Sequence, residues 1–99
     1  MAAEILGVSA DHPTIASGGD VVFTIHYVST AVGKIEFIPP SGFTVTNDHV
    51  NVAPAMDPLH PATATLPTAV ARTNASGPTT CHIVFTLGDS TWPYHLGVR

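Results

Sequence analysis

Apolar residues recur at every second position in several short segments of this chain. The alternation runs through residues 21–27, 43–45, 50–52, 81–87 and 94–98. Because side chains alternate across a β-strand, each segment has one apolar face and one polar face. The pattern therefore predicts strands, with the odd-numbered positions of 21–27 and 81–87 shielded from solvent.

Turn residues separate these segments. Leu6 and Val8 indicate an additional strand at the start, and Ile35 and Phe37 indicate another, which Pro39-Pro40 ends. No segment carries apolar residues at helical spacing. About seven short strands with frequent turn signals are typical of an antiparallel two-sheet β-sandwich of immunoglobulin-like type. Residues 1–99 are predicted to form one such domain.

The parity of the apolar positions also predicts strand pairing. If Asn47-Asp48 forms a two-residue turn, residues 43–45 and 50–52 form a hairpin in which Val45 faces Val50. Parity equally permits residues 21–27 to pair with the strand that follows or to cross to the other sheet.

A second hairpin is expected near the C-terminus. With Gly88 to Pro93 as its loop, Leu87 faces Tyr94 and the apolar faces coincide. The segment from Ala62 to Thr73 is rich in alanine and threonine and contains Pro67. It is therefore predicted to be an edge strand.

Composition narrows the class of protein. Only 10% of the residues are charged, whereas typical domains have about a quarter. Hydroxyl-bearing surface in place of charged surface is associated with secreted and cell-envelope β modules. The net charge is −4, and the cations are Lys34, Arg72 and Arg99. Three cations leave no basic patch, which argues against nucleic-acid binding and attachment to anionic membranes.

The chain contains no apolar stretch close to the roughly 20 residues that span a bilayer. Its start, Met1-Ala2-Ala3-Glu4, lacks the basic and apolar regions of a signal peptide. The expected protein is therefore either cytosolic or a mature domain with a new start codon. The composition favours an extracytoplasmic location, in the cell envelope or secreted.

Several segments resemble a known class of module. Gly18-Gly19-Asp20-Val21, Pro40-Ser41-Gly42-Phe43 and Tyr94-x-Leu96-x-Val98, with the order of strands, resemble immunoglobulin-like or fibronectin type III-like modules of bacterial surface and secreted proteins. The resemblance implies a sandwich that serves in recognition or spacing. The chain departs from it by lacking the Cys…Trp…Cys set, with Trp92 in the last predicted loop.

Catalysis has little support in the sequence. Gly88-Asp89-Ser90 resembles the nucleophile block of a lipase and esterase family, but no later Asp-x-x-His follows and no helix fits there. No paired carboxylates or phosphate-binding loop are visible. We expect a protein that is not an enzyme and needs no cofactor.

Six histidines raise the possibility of a copper or zinc site, because imidazole is the commonest metal ligand. In the expected register, about 13 Å separates His82 from His95, too far for shared coordination. Sites that use His26 from a neighbouring strand, or Met56 with His60, stay open. Solvated strand histidines are the default expectation.

The single cysteine, Cys81, cannot form an internal disulfide. It lies in phase with Ile83 and Phe85, so it is predicted to fill the core as a small apolar residue.

Aromatic residues near the C-terminus are the best candidates for a binding surface. The candidate ligand-binding residues are Ser90, Thr91, Trp92 and Tyr94. Aromatic rings on an end loop can stack on sugars or anchor a protein. Alternatively, Trp92 folds back to plug the end of the core, which we favour.

These observations lead to a functional expectation. The chain is expected to be a non-catalytic recognition module that binds a protein or glycan through its end loops. The alternatives are a structural spacer or assembly unit, either a monomer or weakly self-associating through an edge strand such as Ala62 to Thr73, and a metal-handling sandwich.

Overall fold

The computed structural model describes residues 3–57, 59–74, 76–77 and 79–99, which form strands, turns and connections without a helix. Met1 and Ala2, on which part of the expectation about the N-terminus rests, lie outside the described residues. The strands in this part of the chain are β1 (Ala3–Ala10), β2 (Thr14–Ile15), β3 (Gly19–Ser29), β4 (Gly33–Glu36), β5 (Phe43–Val45), β6 (His49–Val52), β7 (Ala62–Arg72), β8 (Thr80–Leu87) and β9 (Ser90–Val98).

The strands form two sheets. One has the order β1-β3-β7-β5 and the other the order β2-β9-β8-β4-β6. The pairings are antiparallel, except that the two-residue β2 runs parallel to β9. The prediction of an all-β, two-sheet protein is confirmed, with nine strands in the described segments.

The core lies between the two sheets and follows the predicted alternation. The odd-numbered residues of 21–27 and 81–87 are buried, whereas His26, His82 and Val84 on the opposite phase are exposed. At the centre, the Phe23 ring meets the Phe85 ring edge to face at 5.1 Å between centroids. The predicted shielding of these positions is confirmed.

The predicted hairpin over residues 43–52 is wrong. β5 pairs with β7, whereas β6 pairs with β4 in the other sheet, where Val50 faces Ile35 instead of Val45. Asn47 binds back to β7, donating from its backbone N–H to Thr68 Oγ1 at 3.1 Å. Both arrangements bury the same faces of β5 and β6, so parity could not distinguish them.

The prediction that Ala62 to Thr73 forms an edge strand is wrong for residues 70–72, where β5 covers the side away from β3. β7 lies between β3 and β5 in the four-stranded sheet, despite Pro67 in its middle. The proline C=O accepts a hydrogen bond from Asn47 Nδ2 at 3.2 Å. β5 covers only residues 70–72 of β7 on the side away from β3, and no described strand pairs with residues 62–66 there, so assembly through this part of the segment stays a prediction.

The C-terminal hairpin exists, but with a different register. Residues 88–89 make a two-residue turn, and Leu87 faces Ser90 instead of Tyr94. Gly88 has a φ of +60°, which glycine adopts readily at the first position of such a turn. The register differs by four residues from the prediction. Because four is even, each side chain keeps its predicted face.

The link from β3 to β4 crosses between the sheets, so the hairpin that parity also allowed does not form. Within the residues that the structure describes, no helix has the length and apolar character needed to cross a membrane.

Candidate functional site

A groove opens on the outer face of the five-stranded sheet where β4 and β8 separate. The two strands pair only at Glu36 and Thr86. Beyond this pair the chain continues into Pro39-Pro40, which supplies no backbone N–H for a ladder. The resulting groove has a volume of about 350 Å³. Its lining residues are Glu36, Phe37, Ile38, His82, Val84 and Thr86.

The β8 side of the groove is an open strand edge. Val98 N–H donates to the Thr79 C=O at 2.8 Å. Hydrogen-bonded and non-bonded pairs alternate along an antiparallel ladder, so the odd-numbered residues of β8 bond to β9. The backbone groups of His82 and Val84 then point away from β9, into the groove. No described strand pairs with them on that side.

The side chains around this edge are apolar and accessible. Ile38 is 85% exposed and Val84 is 48% exposed, and both line the groove. Phe37, which follows Glu36, is buried in the core and fixes the floor of the groove. At the far end, Glu36 lies 3.6 Å from the Lys34 ammonium. The groove therefore offers apolar contacts and backbone hydrogen-bonding groups side by side.

The predicted ligand-binding residues lie elsewhere, and the loop expected to carry them does not exist. Residues from Ser90 onward belong to β9. Trp92 faces Phe85 and is packed against the core, as the plug interpretation expects. Tyr94 is likewise turned inward, with its ring 5.6 Å from that of Phe23. Of the four candidates, Thr91 is the one on the outer face.

Ser90 has a hydrogen-bond partner in the other sheet. Its Oγ accepts a hydrogen bond from the backbone N–H of Ile5 at 3.0 Å. This bond ties the end of the β8–β9 hairpin to β1 in the other sheet.

Two of the candidate metal ligands are brought together, contrary to the expected separation. His82 and His95 are directly opposite each other on β8 and β9, with ring centroids 4.3 Å apart. The predicted distance was wrong because it rested on the longer loop. His26 lies on β3 in the other sheet, where its Nδ1 is 3.2 Å from Thr63 Oγ1.

The other proposed pair, Met56 with His60, lies on the surface. His60 Nδ1 lies 2.8 Å from Asp57 Oδ2, and this contact lowers the pKa of the aspartate. Met56 is exposed. Within the described part of the chain, no group of three or more His, Cys, Asp or Glu side chains could hold a metal ion.

Cys81 is fully buried among core side chains, as predicted. Burial raises the pKa of its thiol to about 11, because the apolar surroundings disfavour the thiolate. The thiol is therefore protonated at neutral pH.

The groove residues were missed by sequence reasoning. A usable signal was present: β8 continues its alternation where Pro39-Pro40 prevents β4 from continuing beside it.

No protein-family model and no curated protein sequence matches this chain.

Proposed function

We propose that this protein is a non-catalytic recognition module that binds an extended segment of another protein in the groove between β4 and β8. The observation that carries the proposal is the open edge at His82 and Val84 beside two exposed apolar side chains. An extended peptide can supply the missing strand, a mode of recognition that recurs among β-sheet proteins.

The geometry favours a peptide over a glycan as the ligand. Backbone groups of β8 that face the groove alternate as donor and acceptor along the strand, which matches the spacing of another polypeptide backbone. Ile38 and Val84 supply apolar contacts for a side chain of the bound strand. A volume of about 350 Å³ suits a short segment. Small-molecule pockets are usually about 300–1,000 Å³, so the groove is near the lower end of that range.

The same proposal includes the type of module and its location. The two-sheet all-β fold is compatible with an immunoglobulin-like or fibronectin type III-like module of a bacterial envelope or secreted protein. The low content of charged residues supports an extracytoplasmic location. In this view the sheets are a scaffold, and the groove is the contact surface.

The proposal can be tested with a capped pentapeptide that alternates threonine and valine, titrated into isotopically labelled protein. We expect the amide signals of His82 and Val84 to shift and their hydrogen exchange to slow, because both N–H groups gain acceptors. Ile38→Asp should weaken binding by about tenfold, since a carboxylate would be desolvated against the apolar peptide.

Val32→Asp is the matched control. Val32 is also highly exposed, but it is not a lining residue of the groove. This variant should bind the peptide as the unmodified protein does. Shifts confined to other surfaces, equal losses in the two variants, or a response to neutral oligosaccharides but not to the peptide would contradict the proposal.

A further inference from the structure

His82 and His95 form a pair whose position in the ladder brings their side chains unusually close. Thr79 and Val98 form a hydrogen-bonded pair, and bonded and non-bonded pairs alternate along the ladder. His82–His95 is the third pair after it and is therefore a non-hydrogen-bonded pair. Side chains at such positions are closer together than at bonded positions, with Cα atoms about 4.5 Å apart. The 4.3 Å between the ring centroids agrees with this placement.

Both rings are on the outer face of the sheet and are exposed. The neighbouring pairs on this face of β8 and β9 are Thr80–Gly97 and Val84–Pro93, which carry no charge. The ladder itself brings no lysine, arginine or carboxylate to the two rings, and Glu36 on the adjacent β4 lines the same groove as His82. Solvent reaches the pair, and the rings can turn about χ2, a broad torsion in histidine.

We propose that His82 and His95 together bind one divalent late transition-metal ion, such as Cu²⁺ or Zn²⁺, with solvent or an external ligand in the remaining positions. Two imidazole nitrogens that share a tetrahedral ion at bonds of about 2.0–2.1 Å lie roughly 3.3 Å apart. A modest ring rotation reaches this separation from the observed edge-to-face contact. Imidazole suits copper, nickel and zinc, and copper binds most tightly to a given nitrogen site.

The other histidines differ from this pair in their surroundings. His12, His49 and His60 each lie beside one aspartate, at 3.2, 2.9 and 2.8 Å. His26 is on the other sheet and contacts Thr63. Each of these positions offers a metal ion one imidazole ligand, whereas His82 and His95 offer two from paired strands. The pair is therefore expected to bind the ion first.

The test is a titration of labelled protein with Zn²⁺ at neutral pH, followed through the histidine ring signals. We expect the signals of His82 and His95 to move together and to saturate at one equivalent. His82→Asn and His95→Asn should each lower the association constant by about tenfold or more, because each removes one of the two protein ligands. His26→Asn, a matched exposed strand histidine, should leave it unchanged.

Acidification provides a second measurement that needs no variant. Protons compete with the metal for imidazole, so binding to the unmodified protein should weaken as the solution is acidified. Absence of any response to Zn²⁺, saturation first at the histidines beside aspartates, or unchanged affinity in both variants would overturn the proposal.

His82 takes part in both proposals, with its backbone in the groove and its ring in the metal site. His95 is not a lining residue of the groove, so His95→Asn should lose zinc binding and keep peptide binding. Failure at the groove and failure at the histidine pair therefore give different results.

Discussion

Pro67 on β7 lies directly opposite Val22 on β3 in the four-stranded sheet. The Val22 N–H donates to Asp11 Oδ1 at 2.9 Å, and its C=O accepts from the Asp11 N–H at 3.1 Å. Both backbone groups of Val22 therefore face away from β7. The pair exchanges no hydrogen bond, so the missing N–H of proline costs the β3–β7 ladder nothing.

The same alternation predicts where β7 tolerates a second proline. Thr65, like Pro67, occupies a position that exchanges no hydrogen bond with β3, whereas Ala64 faces Ile25 at a hydrogen-bonded position. Thr65→Pro should lower the free energy of unfolding by less than about 1 kcal/mol, and Ala64→Pro by about 3 kcal/mol or more. Urea unfolding measures both. Ala64→Val, which keeps the N–H, controls for added volume; equal losses in the two proline variants would refute the phase assignment.

The aromatic cluster at the centre of the core should dominate stability. Phe23 contacts the rings of Phe85, Tyr94 and Phe37 at centroid distances of 5.1, 5.6 and 6.3 Å. Phe23→Ala should cost about 3–5 kcal/mol in the free energy of unfolding, because it leaves a cavity between the sheets. Phe23→Leu should cost about 1–2 kcal/mol. Chemical denaturation distinguishes these values, and a loss below 1 kcal/mol for alanine would contradict the observed packing.

Stability should decline at alkaline pH through Cys81. The pKa of the Cys81 thiol is about 11 in the folded state, whereas its ordinary value is 9.0. Stability from the protonated thiol is present below pH 9.0 and is lost as the pH rises towards 11. The loss is about 1.4 kcal/mol for each pH unit in this window. The Cys81→Ala variant should not show this loss of stability. An equal loss in both proteins at alkaline pH would show that the thiol does not cause it.

Acid should weaken the contact at Asp11. The hydrogen bond from the Val22 N–H is the main cause that lowers the pKa of this carboxylate, and His12 adds to it. A lowered pKa stabilises the fold above the ordinary value of 3.8, and this stabilisation is lost as the pH falls through the folded value. Asp11→Asn keeps an acceptor but cannot titrate. Unfolding measured from neutral to acidic pH should therefore show a shallower decline in that variant.

Trp92 should contribute to stability and not to ligand capture. It faces Phe85 and covers part of the core. Trp92→Ala is expected to lower the free energy of unfolding by about 1–3 kcal/mol, because a half-buried indole is lost. The folded variant should still bind the pentapeptide. Loss of peptide binding with unchanged stability would instead favour the C-terminal aromatic residues as the contact surface.

The sequence predicted the all-β class and the buried faces because a strand's side-chain period is two, whatever partner the strand acquires. Phe23, Phe85 and Cys81 are inside for this reason. A register error of four residues in the last hairpin left each face unchanged, since four is even. For the same reason, the parity of the apolar positions could not decide which strands β5 and β6 pair with.

The candidate sites needed the tertiary structure. Whether His82 meets His95 depends on the length of one turn, and Pro93 suggested a longer loop than the two residues observed. Pro93 is accepted within β9 because it faces Val84 at a non-bonded position. The groove depends on how far β4 stays beside β8, a long-range relationship with no local periodicity. Thus alternation along the chain determined which side of each strand is apolar, and the tertiary structure decided strand order and register, because these depend on backbone pairing between distant segments.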